Sequence, residues 1–141
     1  MTVLTPELRE LIESGPLTHL TTLNADGSAQ VTVVWIGLDG DELVTAHMGR
    51  YAKVRNVERD PRVVLSFLAP SAPGTFLEHH AVLTARARTE ATDEAWDVLD
   101  RLTKIYLGPD ETFPGRKGSG YVIRYTVEKV GGVGPWVPAK R

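Results

Sequence analysis

Five cationic side chains fall within thirteen residues of this chain, directly after a segment with strand character. The cations are Arg50, Lys53, Arg55, Arg59 and Arg62. Ammonium and guanidinium groups hold an oxyanion when they lie beside the free N–H groups at the start of a helix. A solvated helix whose charges pair with Glu58 and Asp60 explains the same composition. Spacing alone therefore leaves a phosphate site and a salt-bridged helix as alternatives.

A second candidate is the apolar run from Gln30 to Leu38, which is rich in β-branched residues and predicts one long strand. A run that is apolar on both faces is typical of a core strand. A planar ring lying along such a strand would also find hydrogen-bond partners, in the backbone amides and in the side chains of Gln30 and Thr32. The run therefore predicts a core strand that is also suited to binding a ring.

No known catalytic motif accompanies these features. The chain has no cysteine, and its four histidines lack the spacing of a zinc site, so no metal site is predicted. Surface or interface roles are predicted for His19, His47, His79 and His80. A nucleophile elbow, a P-loop and a dinucleotide-binding glycine motif are also missing from the sequence. An anion site without an evident acid, base or nucleophile favours a cofactor that brings its own chemistry.

Length and charge set the outer limits. At 141 residues the chain is predicted to form one domain, residues 1–141. Its formal net charge of −2 gives no general reason to expect binding to nucleic acid or to a membrane surface. No apolar run approaches the roughly 18 residues of a membrane span, and no signal peptide is visible, so a cytoplasmic location is predicted.

Three short helices are predicted to help position these residues. The cationic helix directs Val54 and Val57 to the core and ends before Pro61, because the residue before proline avoids helical geometry. A helix capped by Thr5 precedes it, and a helix capped by Thr92 follows it. The apolar stripe predicted for the last helix consists of Ala95, Val98, Leu99, Leu102 and Ile105.

About six strands complete the predicted fold. Their predicted ranges are 17–23, 30–38, 42–47, 62–68, 76–88 and 121–130. The strands are joined by hairpins and show no regular alternation with helices, which argues against a Rossmann sheet. The fold class predicted is mainly β, an antiparallel barrel with short helices at its ends.

Three segments of this chain resemble the flavin/deazaflavin oxidoreductase family, the split β-barrel family that includes the pyridoxamine 5′-phosphate oxidases. They are Leu-Thr-Thr-Leu-Asn-Ala-Asp-Gly-Ser at 20–28, Gln-Val-Thr-Val-Val-Trp at 30–35, and Ala-Lys-Val-Arg-Asn followed by Arg-Asp-Pro-Arg within 52–62. The tail at 130–136, Val-Gly-Gly-Val-Gly-Pro-Trp, is similar to that of the smaller enzymes that use the deazaflavin coenzyme F420. The resemblance extends from about residue 5 to residue 136.

The resemblance implies a homodimer with two cofactor sites in the clefts between split barrels. It implies that the cofactor ring and side chain are lined by Gln30, Val31, Thr32, Val33 and Val34. It further implies that the cofactor contacts Gly49 and Arg50, and that its phosphate is held by Lys53, Arg55 and Asn56. The partner subunit is expected to contribute from residues 76–78 and from the tail near Trp136. Tyr51 departs from the family pattern, since some relatives carry another cation there.

The function implied is that of a coenzyme F420-dependent reductase, which transfers a hydride between the deazaflavin and an unsaturated or quinone-like small molecule. Two alternatives remain open: an FMN-dependent oxidase or reductase of the same fold, and a non-catalytic carrier of F420, flavin or haem. In a haem carrier, His47, His79 or His80 would be the candidate axial ligand. A polyglutamate tail on F420 would need a basic path, for which Arg116 and Lys117 are candidates.

Overall fold

The computed structural model describes residues 3–70, 73–74, 76–115 and 118–137. The helices are α1 (Pro6–Glu13), α2 (Ala52–Arg59) and α3 (Ala95–Tyr106). The strands are β1 (Thr18–Leu23), β2 (Ala29–Val34), β3 (Gly37–Asp39), β4 (Glu42–His47), β5 (Arg62–Leu68), β6 (His80–Thr92) and β7 (Gly120–Val133). No described helix is both long enough and apolar enough to cross a membrane.

All seven strands belong to one antiparallel sheet with the order β2-β1-β5-β6-β7-β4-β3. The two edge strands, β2 and β3, are consecutive in the chain and are joined only by Trp35 and Ile36. Because each residue spans at most about 3.6 Å, this short link brings the opposite edges of the sheet close together. The sheet therefore curls toward a barrel without closing, which confirms the predicted split-barrel fold.

The prediction of one strand from Gln30 to Leu38 is wrong, because the chain breaks at Trp35 and Ile36. The Ile36 N–H donates to the Tyr106 hydroxyl at 3.0 Å, and that hydroxyl donates to the carbonyl of Pro16 at 2.6 Å. The Trp35 ring stacks on the Tyr106 ring with centroids 5.2 Å apart. A side chain of α3 thus takes the backbone amide that a continuous strand would offer to a neighbouring strand.

The core assignment of this run is also wrong for its first half. Val31 and Val33 are each 56% exposed, so one face of the edge strand β2 is open. Val34 and Ile36 are buried as predicted. The apolar sequence of β2 therefore produces an exposed apolar face.

Other helix and strand boundaries differ by several residues from those predicted from the sequence. The strand predicted from Phe76 begins at His80, and Phe76 itself is 98% exposed. The last helix begins at Ala95, with the Thr92 hydroxyl accepting from the Glu94 N–H just before it. Ile105, assigned to its apolar stripe, is 39% exposed. The core side of α3 includes Trp96 and Thr103, which the predicted stripe omitted.

The core holds α2 firmly against the sheet. Val54 and Val57 are both buried in the main apolar cluster, as their three-residue spacing predicted. The helix ends at Arg59, and Asp60 follows in extended geometry before Pro61. The remaining faces of α2 are consequently fixed in orientation, which determines where its cationic side chains lie.

Replacing Gly132 with alanine is expected to lower the free energy of unfolding by about 3 kcal/mol. Gly132 has a φ of +101°, and a Cβ there would collide with the carbonyl oxygen of His80 on the paired strand. Neither the strained φ nor a backbone collision is relieved by a rotamer change. Denaturant unfolding of Gly132→Ala and of the control variant Gly131→Ala tests this. A Cβ at Gly131 meets only the Val82 carbonyl at 3.8 Å, so equal destabilisation of both variants would contradict the prediction.

Candidate functional site

A cavity of about 220 Å³ lies where β2, β4, α2 and α3 meet. Its lining consists of Val33, Val34, Trp35, Ala46, His47, Lys53, Leu99, Leu102 and Phe113. The lining is mostly apolar and carries one ammonium group and one imidazole. A few polar groups on an apolar wall are typical of small-molecule sites. Of the site residues predicted from sequence, the cavity brings together Val33, Val34 and Lys53.

Lys53 is the cation that faces this cavity. Its side chain is half-buried, and burial lowers the pKa of the ammonium. Within the part of the chain that the structure describes, Lys53 makes no ion pair, and its Nζ lies 5.6 Å from the centre of the Tyr51 ring. A partly desolvated charge without a counter-ion favours an anion at this position.

His47 lies in a different environment from the one that the sequence predicts. A surface or interface role was predicted, yet the residue is only 6% exposed and lines the cavity. Burial, with a smaller contribution from the Lys53 charge, lowers the pKa of His47 to about 3. The imidazole is therefore neutral at pH 7. The alternation of Leu43, Thr45 and His47 along β4 was the available signal, since alternate residues share one face of a strand.

The His47 ring is part of a buried hydrogen-bond chain. Its Nε2 lies 2.8 Å from the Thr45 hydroxyl, which lies 2.8 Å from the hydroxyl of Tyr125 on β7. Burial raises the pKa of Tyr125 well above its ordinary range, so the phenol keeps its proton. These two hydrogen bonds fix the orientation of the imidazole at its Nε2 edge.

Arg50 and Arg55, both predicted phosphate contacts, bind other groups of the protein. The Arg50 guanidinium donates to Glu58 through Nη2 at 2.6 Å and through Nε at 3.0 Å. Arg55 donates from Nη1 to the backbone carbonyl of Arg50 at 2.6 Å. Both side chains are exposed, and neither lines the cavity. Within the cationic segment, Lys53 therefore faces the cavity, whereas Arg50 forms a salt bridge, as the alternative of a salt-bridged helix predicted.

Asn56 lies at the centre of a buried polar network. Its Nδ2 donates to the Thr22 hydroxyl and to the Asn24 side-chain oxygen, each at 3.0 Å, and approaches the Gln30 side-chain oxygen at 3.4 Å. Its Oδ1 accepts from Arg59 at 2.7 Å. The structure thus brings together two predicted site residues, Gln30 and Asn56. It shows them bound to each other and to neighbouring strands.

The other predicted site residues, Val31, Thr32 and Gly49, do not line the cavity. Thr32 has a fully buried hydroxyl with no hydrogen-bond partner among the described residues. Val31 is exposed on the open face of β2. Gly49 lies in the link between β4 and α2, where an added Cβ would touch the Tyr51 ring at 3.6 Å.

The segments expected to reach a partner subunit differ in their exposure. Phe76 and Leu77 are 98% and 59% exposed. Trp136 is buried in its own core, and its indole N–H donates to the His80 carbonyl at 3.1 Å, so little of the ring is free to contact another chain. Arg116 and Lys117, the candidates for a basic path, lie outside the described residues.

Comparison with known proteins identifies relatives that share this architecture. The sequence profile of the family described as pyridoxamine 5′-phosphate oxidase matches residues 4–134. No curated protein gives a significant match.

Solved structures show the same fold at low sequence identity. A protein described as an F420 reductase is 24% identical, with a TM-score of 0.70 over 87% of this chain and 94% of its own. A conserved hypothetical protein from Mycobacterium tuberculosis is 17% identical, with a TM-score of 0.71 over 88% of this chain and 80% of its own. HutZ, a haem storage protein from Vibrio cholerae, is 19% identical, with a TM-score of 0.65 over 94% and 95% of the two chains.

Proposed function

Because the chain belongs to the pyridoxamine 5′-phosphate oxidase family, we propose that it is a coenzyme F420-dependent oxidoreductase. In this proposal the deazaflavin supplies hydride chemistry to an unsaturated or quinone-like small molecule. The observation that carries the proposal is the half-buried ammonium of Lys53, which has no ion-pair partner among the described residues and lies in an apolar cavity beside edge strand β2. The similarity to an F420 reductase supports the choice of cofactor through shared fold alone.

The residues present fit a phosphate-bearing ring. Lys53 would attract the phosphate through a charge-assisted bond. Edge strand β2 leaves the outward half of its N–H and C=O groups without a neighbouring strand, and these would orient the polar edge of a planar ring. Val33, Val34 and Trp35 would exclude water from the ring face. Orientation of the reacting groups is the main contribution that such a site makes to the rate.

A second copy of the chain would complete the site. A cavity of about 220 Å³ is smaller than the roughly 300–1,000 Å³ of pockets that enclose a drug-sized ligand. The cavity wall at Val33 continues into the exposed apolar face of β2, which includes Val31. A partner subunit covering that face, with Phe76 and Leu77 contributing from its surface, would bury these side chains and deepen the cleft. The proposed assembly is therefore a homodimer.

Parallel titration of the apo-protein with F420, FMN and haem tests this function. Each sample is passed through a gel-filtration column and its absorption spectrum recorded, so that bound cofactor and oligomeric state are measured together. Co-elution of F420 with a dimer, followed by reduction of a quinone panel by the reduced cofactor, is expected. Retention of FMN alone would establish the flavin alternative, and retention of haem alone the carrier alternative. F420 binding without reduction of any acceptor would also favour a carrier.

Replacing Lys53 with methionine is expected to weaken F420 binding by about 1–3 kcal/mol, or about 5- to 150-fold in Kd, because a charge-assisted bond is lost. Fluorescence titration of the deazaflavin measures the change. Lys104→Met is the matched control, since Lys104 is exposed on α3 and lies outside the cavity. An unchanged Kd for the Lys53 variant would remove this residue from the cofactor site.

A further inference from the structure

The buried chain Tyr125–Thr45–His47 determines which nitrogen of the imidazole carries the proton. Three groups share two contacts: the Tyr125 hydroxyl, the Thr45 hydroxyl and Nε2 of His47. The Tyr125 hydroxyl makes no other hydrogen bond in the described structure, and Tyr125 is 0% exposed. Its O–H must therefore donate to Thr45, because a buried hydroxyl hydrogen without an acceptor costs about 1–3 kcal/mol.

The direction of the second bond follows from the first. With its oxygen accepting from Tyr125, the Thr45 hydroxyl has its own hydrogen left, and Nε2 of His47 is the acceptor within reach. The reverse arrangement, in which Nε2–H donates to Thr45 and Thr45 donates to Tyr125, strands the Tyr125 hydrogen. Nε2 is therefore the unprotonated nitrogen, and in the neutral ring Nδ1 carries the hydrogen.

The Nδ1–H group is directed to the cavity. Nδ1 makes no hydrogen bond within the described part of the chain. It is also not one of the fully buried polar atoms that lack a partner there, so Nδ1 is not fully buried. It must then touch open space, and the space that the His47 side chain borders is the cavity. A residue that is only 6% exposed thus presents a donor to the ligand.

We propose that Tyr125 and Thr45 hold His47 as the Nδ1–H tautomer, and that this N–H together with Lys53 binds a carbonyl or anionic oxygen of the cavity ligand. The ligand's identity as F420 rests on the proposed function, whereas the tautomer and the oxygen-binding pair do not. His47 acts as a neutral hydrogen-bond donor, and Thr45 and Tyr125 are positioning residues. The pair selects ligands with an acceptor oxygen where the imidazole and the ammonium meet, and it disfavours ligands that present a donor there.

Nitrogen-15 NMR of histidine-labelled apo-protein tests the tautomer without any cofactor. His47→Gln, which removes one ring signal, identifies the resonances. A protonated Nδ1 and an unprotonated Nε2 are expected at pH 7. A protonated Nε2 would overturn the proposal, whatever the protein is found to bind.

Variants of Thr45 test the positioning role. Thr45→Val removes the hydroxyl that fixes the tautomer, so a mixture of the two forms is expected, whereas Thr45→Ser is expected to keep the original tautomer. Tyr125→Phe frees the Thr45 hydroxyl to point either way, so a mixture of tautomers is expected. An unchanged tautomer in both Thr45→Val and Tyr125→Phe would refute the proposed control by this chain.

Titration with formate tests the oxygen-binding pair, because this small carboxylate fits the cavity and requires no cofactor. Formate is expected to shift the Nδ1–H resonance of the native protein, and Thr45→Val is expected to weaken its binding about 2- to 10-fold, the loss of one neutral hydrogen bond. A parallel titration with F420 is expected to shift the same resonance. If F420 fails to bind while formate shifts Nδ1–H, the proposed function fails and this site stands. If neither ligand shifts Nδ1–H, the oxygen-binding role is overturned.

Discussion

Replacing Asn56 with leucine is expected to lower the free energy of unfolding by about 3 kcal/mol. The change removes the donors to Thr22 and Asn24 and the acceptor of Arg59. The Thr22 hydroxyl still donates to Gln30 at 3.2 Å, but Thr22 is 1% exposed, so water cannot replace Asn56 as the donor to its oxygen. Each of the three hydrogen bonds lost contributes about 1 kcal/mol. Urea unfolding followed by circular dichroism measures the loss.

The Asn56 variant also separates two roles for this residue. Arg55→Leu on the same helix is the control, because Arg55 is exposed and a change of less than about 1 kcal/mol is expected. A residue that only holds phosphate would leave stability nearly unchanged and weaken cofactor binding when replaced. Native-like stability of Asn56→Leu would therefore restore Asn56 to the phosphate site and contradict its role as the centre of the network.

Acidification from pH 7 to pH 3.5 is expected to remove about 4 kcal/mol of stability through His47 alone. In the unfolded chain His47 binds a proton below its ordinary pKa of about 6.5, whereas in the folded protein its pKa is about 3. Between these values the unfolded state binds one more proton, so the free energy of unfolding falls by about 1.4 kcal/mol for each pH unit lost. The contribution of His47 to the free energy of unfolding is fully present above pH 6.5 and is lost as the pH falls toward 3.

The measurement is best made between pH 6.5 and pH 5, above the range in which most carboxylates take up protons. Urea unfolding at closely spaced pH values gives the slope, and His47→Gln is the control. The native protein is expected to lose about 2 kcal/mol over this interval, and the variant is expected to lack the His47 contribution to the slope. Identical slopes for the two proteins would show that His47 is not buried in its neutral form.

Local patterns predicted much of this fold from the sequence. The three-residue spacing of Val54 and Val57 gave the inner face of α2, and the Asp39-Gly40 turn placed the hairpin between β3 and β4. The break after Val34 was not predictable, because the group that takes the Ile36 amide belongs to Tyr106, seventy residues further along the chain. Long-range hydrogen bonds of this kind leave no periodic trace in the sequence.

The candidate site, like the fold, could be predicted from the sequence only in part. Lys53 was selected from its position after a strand, and the structure places it in the cavity. The pairing of Arg50 with Glu58 joins the segment before α2 to the last turn of the helix, and spacing alone left it as an open alternative. The partners of Asn56 come from β1, the following turn and β2, so its structural role appears only once these segments meet.

The position of β7 between β6 and β4 also has a consequence for the order of biosynthesis. During synthesis, β3 and β4 lack their neighbour β7 until about residue 133 has left the ribosome, and the cavity lacks α3 until about residue 106 has emerged. The curled sheet is therefore assembled last from its most distant segments, a topology that slows folding. We expect no ligand to bind in this cavity until α3 and β7 have been synthesised and have joined the sheet.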